Sequence, residues 1–280
     1  MTDWILAHEG VLRLSCFLGF FTLVALWEIR FPCRSLRIDK ATRWFNNLLL
    51  VGINTVALRL IFPAAAVGAA ALAADRGWGL FNFFAIPTQA AVLLSIILLD
   101  LAIYLQHVMF HAIPLFWRLH RVHHADLDYD VTTGARFHPI EIVLSMIIKY
   151  AVIFLLGAPV VAVIVFEVQL NATAMFNHGN LRLPKRVDAL LRLVIVTPDM
   201  HRVHHSIAAD ETNSNFGFNL PWWDRLFGTY RAQPKAGHQG MTIGIDGYRD
   251  PAQVQRLSGI LTLPFQRSIG DYAINRRPWN

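Results

Sequence analysis

The sequence predicts an all-α integral membrane protein: a helical bundle with a re-entrant helical hairpin and a histidine-rich cap on the cytoplasmic face. Two observations carry this. Of 280 residues, 55% are hydrophobic and 16% charged, and the mean hydropathy is +0.41, a balance foreign to soluble enzymes. Ten of the twelve histidines fall between His107 and His205, eight of them in clusters of helical spacing. The clusters are His107/His111, His120/His123/His124 and His201/His204/His205, the last two inside the identical pentapeptide His-Arg-Val-His-His. Positions i, i+3 and i+4 share one helix face, so each cluster is expected to aim its imidazoles at one point.

Three spanning helices are expected within residues 11–111. Val11 to Ile29 is apolar save Arg13 and Glu28, and too long for a signal-peptide core. The loop after it carries Arg30, Arg34, Arg37, Lys40 and Arg43; the positive-inside rule makes it cytoplasmic and the N-terminus external. Phe45 to Ala73 is a second span, interrupted by Arg59 and Pro63, and Thr88 to His111 a third, carrying Asp100. Glu141 to Phe176 is apolar but broken at Gly157-Ala158-Pro159, which suits either one kinked span or a hairpin over 141–176. A single crossing would put the two pentapeptides on opposite faces of the membrane. If they share a site, the hairpin follows. Residues 112–230 then form the catalytic region and 231–280 a cytoplasmic tail, with Asp250-Pro251 starting a short helix to about Leu261, all in one domain spanning 1–280.

Charge and cysteine content exclude other classes. The formal charge is +6 with a pI near 9.7, but the basic residues are spread among loops, which favours anionic lipid over nucleic acid. Cys16 and Cys33 form no CxxC, and no haem, dinucleotide or iron–sulfur motif is present. Eight histidines exceed what one ion takes, and two metals with about four ligands each use the set. Imidazole binds zinc, iron, copper and nickel alike, so a histidine-rich metal transporter or sensor, or a bis-histidine haem carrier, stands as the rival reading.

The order HxxxH, HxxHH, HxxHH resembles the fatty acid hydroxylase/sterol desaturase superfamily of membrane di-iron enzymes. The resemblance continues through Arg136-Phe137-His138-Pro139-Ile140-Glu141, Asn177-His178-Gly179-Asn180, Asn215-Phe216-Gly217 and Trp223-Asp224-Arg225-Leu226-Phe227-Gly228-Thr229, covering roughly 95–230. It implies oxygen-dependent hydroxylation or desaturation of an unactivated C–H bond in a sterol, carotenoid, fatty acyl or related lipid. It implies two iron ions, dioxygen as co-substrate, and electrons from an external cytochrome, ferredoxin or reductase. It adds His178 and His138 to the candidate ligands, with Glu141 placed to orient an imidazole through its free N–H.

Asp100, seven residues before His107, is expected either to hold that imidazole or to pair with Arg59 or another internal cation. Lys149 is expected to snorkel or pair, and His8 and His238 to be solvated. Arg121 and Arg202 point away from the ligand face, toward lipid phosphate, an electron donor or water. Asn177, Asn180 and Asn215 suit turns or the ligand environment, and Trp222 and Trp223 suit the membrane interface or a substrate contact.

Overall fold

The computed structural model describes residues 8–268 together with Tyr272 and Ile274, so the remaining residues of the predicted N-terminus and tail lie outside the described residues. Helices of six residues or more are α1 (Glu9–Arg30), α2 (Lys40–Ile61), α3 (Ala65–Asp75), α4 (Thr88–Ala112), α5 (Pro114–His124), α6 (Pro139–Leu156), α7 (Val160–His178), α8 (Lys185–Leu191), α9 (Pro198–His204) and α10 (Leu257–Thr262). Among the described residues only two isolated β-bridges occur. Five segments are long and apolar enough to cross a membrane: α1, the stretch from α2 through Phe83, α4, α6 and α7. Their outer faces stay apolar, with Leu14, Leu23, Leu60 and Leu93 exposed.

The breaks follow local chemistry. Pro63 follows the end of α2 at Ile61 and breaks the second stretch, and the chain restarts at Ala65 with φ +49°. The alanine-rich α3 buries Ala66, Ala69, Ala70 and Ala73, small side chains that allow close approach to α6 and α7. Gly157 ends α6 in the left-handed conformation at φ +67°, and a Cβ there would lie 2.4 Å from the Trp78 carbonyl oxygen. Pro159 then opens α7.

The chain leaves the histidine-bearing end along α6, from Glu141, and returns along α7 to His178. The far ends of both arms meet the histidines, Glu141 against His120 and His178 against His123. α1 packs on α7, α4 on α5 and α7, and α9 on the end of α7. The segment after α9 folds back over the histidine end, burying Met241, Ile243, Ile245, Val254 and Ile260. The helix expected from Asp250 to about Leu261 is two pieces: Asp250 caps a single turn, Pro251–Val254, and the chain restarts as α10.

Candidate metal centre

Nine histidines converge in two buried groups. One holds His107, His111, His120, His124 and His204; the other holds His123, His178, His201 and His205. In each group one ring nitrogen per residue lies within 4.8 Å of the others. The groups adjoin, with the His124 and His205 rings 4.6 Å apart.

Each pentapeptide is therefore divided, not aimed at one point as the spacing suggested. A helix turns about 100° per residue, so adjacent His123 and His124 diverge enough to face different centres. α5 gives His120 and His124 to the first group and His123 to the second. In the second pentapeptide the order reverses: His204 joins the first group, while His201 and His205 join the second. Pro114 and Pro198 each sit in the first turn of the short helices that carry these residues, and the Thr197 hydroxyl caps α9 by accepting from the Met200 N–H.

Hydrogen bonds fix the ring orientations. His107 donates from Nδ1 to the Phe216 carbonyl, His204 to Ser214 and His178 to Ala174, each at 2.7 Å. His120 Nδ1 lies 2.6 Å from Glu141 Oε1. A carbonyl only accepts, so Nδ1 carries the proton in the first three rings and Nε2 is left as a lone pair. Yet Nε2 of His107 lies 3.0 Å from Nε2 of both His120 and His204. Nε2 of His178 lies 3.1 Å from Nε2 of His123 and of His201, and the His111–His124 pair is also at 3.1 Å. In the His107–His204 contact both tautomers are fixed, so two lone pairs face each other at 3.0 Å and repel unless a Lewis acid lies between them. A spacing of about 3 Å is the edge expected when two nitrogens bond one ion at about 2.1 Å and near right angles, whereas tetrahedral angles would give about 3.4 Å. His205 is buried with neither ring nitrogen hydrogen-bonded.

Burial first, and then the charge of neighbouring rings, hold His120, His123, His124, His201, His204 and His205 well below the ordinary imidazole range. They stay neutral, the form that ligates. The donor set thus fits two metal ions.

The other candidates fall elsewhere. His138 lies outside both groups: its Nδ1 accepts from the Ile140 N–H at 3.2 Å, capping α6, and its Nε2 faces the Leu261 carbonyl at 3.3 Å. Asp100 contacts neither His107 nor Arg59. It accepts from Asn219 Nδ2 at 2.8 Å, Trp223 Nε1 at 2.8 Å and the Leu220 N–H at 3.2 Å, pinning the loop whose Phe216 carbonyl holds His107. Arg121 and Arg202 are fully buried, because backbone carbonyls of Leu263 and Gln266 bind the first while Asp199 and the Tyr129 ring hold the second. Neither reaches lipid or water. His238 is half-buried beside Arg202 and Asp199, not solvated, whereas His8 is exposed. Trp222 donates to the Leu193 carbonyl. Asn180 clamps the backbone of Arg34, Asn177 donates to the Phe218 carbonyl, and Asn215 takes φ +53° in its turn.

Sequence reasoning missed the acidic run Asp126-Leu-Asp128-Tyr-Asp130. Arg43 of α2 is fully buried, bidentate to Asp126 at 2.8 and 2.9 Å and bound to Asp130 at 2.5 Å. Asp128 accepts from the Arg37 and Ile38 N–H groups. The basic run from Arg30 to Arg43 carries the available signal, since an arginine that becomes buried needs acidic partners.

The fatty acid hydroxylase family profile matches residues 92–229, the stretch containing every member of both histidine groups. The chain belongs to the fatty acid hydroxylase superfamily. Among curated proteins of this superfamily, it is 28% identical over 192 residues to the ornithine lipid hydroxylase OlsE of Rhizobium tropici, covering 69% of this chain and 55% of that protein. It is 31% identical over 159 residues to the alkylglycerol monooxygenase of Xenopus tropicalis and 27% over 161 residues to the human one, each time covering 56% of this chain and 34% of the relative. The chain thus aligns with about half the length of the first relative and a third of the others. No solved structure matches it.

The Glu141–His120 contact makes a direct prediction. Glu141→Gln should weaken metal binding at the five-histidine group about 10–100-fold, by loosening the His120 ring, and leave the fold intact. Chelator competition on purified protein measures it; unchanged affinity would remove Glu141 from the centre.

Proposed function

We propose that the protein is an integral membrane lipid hydroxylase whose two histidine groups each hold an iron ion. The observation that carries this reading is a cavity of about 300 Å³ that reaches the metal centre, with His107 and His120 in its wall beside Phe110, Phe137, Met146 and Phe218. Such a slot takes an apolar chain and delivers one carbon to the ligand shell. The names of the curated relatives, one an ornithine lipid hydroxylase and others alkylglycerol monooxygenases, favour hydroxylation over desaturation.

Bound iron would supply oxygen activation and hydrogen abstraction. The balance is R–H, dioxygen, two electrons and two protons giving R–OH and water. The chain's own contribution is positional. The Phe216, Ser214 and Ala174 carbonyls and the Glu141 carboxyl fix four rings, and the apolar wall excludes water. Electrons come from an external cytochrome, ferredoxin or reductase. The basic loop after α1 lies at the histidine end, where Arg34 binds the His238 and Met241 carbonyls, and by the positive-inside rule this supports a centre on the cytoplasmic face, with α6 and α7 re-entering from it.

Comparative lipid mass spectrometry tests the reaction, using cells grown in air with the wild-type protein or with His204→Ala. A lipid heavier by one oxygen in the wild type alone is expected. No lipid change, with zinc uptake into vesicles, would favour the transporter reading instead.

A further inference from the structure

The exposed apolar surface does not stop at the spanning helices. On α8 and the turn that follows it, Val187, Leu190, Leu193 and Val194 are exposed, Leu190 at 69%. Beside them a short helix, Trp222–Leu226, exposes Trp222, Leu226 and, just past its end, Phe227, with Leu226 at 70%. Neither piece is long enough to cross a membrane. Two hydrogen bonds join them into one patch: Trp222 Nε1 donates to the Leu193 carbonyl at 2.7 Å, and Arg225 Nη2 to the Arg192 carbonyl at 2.9 Å. A contiguous exposed apolar patch marks contact with a partner or a membrane.

The patch sits beside a span. Asp100 is the thirteenth of the 25 residues of α4, about 18 Å from either end at a rise of 1.5 Å per residue. A hydrocarbon core about 30 Å thick that α4 crosses therefore encloses Asp100 by about 10 Å on either side. Trp223 Nε1 and the Leu220 N–H bind Asp100 at 2.8 and 3.2 Å, and the Phe227 ring stacks at 5.4 Å on Tyr104, one turn closer to the histidines. Next to Tyr104, Leu105 of α4 is 50% exposed, so the patch continues the lipid-facing surface of the span. Charge decides among occupants. Over residues 181–195 and 220–229 the acids are Asp188 and Asp224, both buried. Arg182, Lys185 and Arg186 are exposed and form no ion pair among the described residues. A two-fold pairing of two copies through this patch would bring the same cations together. A membrane interface suits all three features, with apolar side chains at the acyl boundary, tryptophan between, and cations at anionic headgroups.

We propose that α8 and the segment from Trp222 to Phe227 form a shoulder embedded in the leaflet on the histidine side, with anionic phospholipid headgroups at Arg182, Lys185 and Arg186. The histidine end is then sunk partly into the membrane on this side instead of standing wholly in water.

The test places an environment-sensitive NBD fluorophore on the full chain in lipid nanodiscs, one cysteine at a time, after Cys16→Ser and Cys33→Ser have removed the two native thiols. The labelled sites are Leu190→Cys, Leu226→Cys and, as the water-facing control, Lys235→Cys, whose side chain is 70% exposed beside Asp210. With phosphatidylglycerol present, lipids spin-labelled high on the acyl chain are expected to quench positions 190 and 226 at least twofold more than position 235. Adding Lys185→Gln and Arg186→Gln should reduce that quenching in phosphatidylglycerol and leave it unchanged in phosphatidylcholine alone. Quenching at 190 and 226 no greater than at 235 would overturn the shoulder. Blue-shifted emission without lipid quenching would give the patch to a second copy of the chain and overturn it equally. Undiminished quenching in the Lys185→Gln, Arg186→Gln chain would overturn the assignment of anionic headgroups. A second measurement keeps the native cysteines: brominated lipid should quench the tryptophan emission of the wild type more than that of Trp222→Phe, and equal quenching counts against the shoulder. None of these readouts needs turnover, so they stand apart from the hydroxylase reading.

Discussion

Replacing His204 or His123 with alanine is expected to abolish lipid turnover, by at least about 100-fold, and to reduce bound metal while the protein still inserts and folds. The magnitude follows from the role: disturbing the partner of a ligand alone costs about 10–100-fold. The two variants should differ in a way that the division of the pentapeptides dictates. His204 belongs to the group of five and leaves four imidazoles behind; His123 belongs to the group of four and leaves three. Metal loss should therefore be deeper in His123→Ala, read as ions per chain by elemental analysis. His138→Ala is the matched control. It removes the cap of α6, at a cost of about 1 kcal/mol in stability, and should leave the metal content alone. Full turnover in either ligand variant would defeat the two-metal assignment, and equal metal loss in both would defeat the division into five and four.

Periodicity made the elements legible. α1, α4, α6 and α7 are runs of apolar residues, and the break between α6 and α7 follows from Gly157 and Pro159. The three histidine clusters were legible for the same reason. Their partition was not. It depends on where α5 and α9 sit relative to each other, and those positions come from contacts far apart in sequence, such as His204 against His107. His178 and His138 show the limit from the other side. Both are single histidines in short motifs, and only the packing of α7 against α9 brings one into the centre while helix capping takes the other out. Arg121 and Arg202 looked free because a helix projection shows which way a side chain points but not what arrives to cover it. The returning C-terminal segment covers Arg121, and Tyr129 with Asp199 covers Arg202.

The Arg43–Asp126–Asp130 cluster, invisible to motif reasoning, sets the second large expectation. Asp126→Ala leaves the fully buried Arg43 guanidinium short of its bidentate partner, and breaking such a pair costs about 3–5 kcal/mol. A domain stable by about 5–15 kcal/mol loses a large part of its margin. The consequence reaches the candidate metal centre because the same loop joins α5, which carries His120, His123 and His124, to α6, which carries Glu141. Asp126→Asn keeps the shape and some hydrogen bonds, so it should be milder. Burial would raise the Asp126 carboxyl, but Arg43 and then Arg136 hold it well below the usual carboxylate range. A carboxyl depressed in the folded state stabilises fully above its unfolded pKa, about 4, and that contribution is lost as pH falls through the folded value. The wild type should thus lose thermal stability on acidification below about pH 4, and Asp126→Asn should lose less over the same window. Melting by fluorescence-detected size exclusion across pH reads both. An unshifted melting temperature in Asp126→Ala, or parallel acid profiles for wild type and Asp126→Asn, would mean that this buried cluster does not hold the loop between α5 and α6.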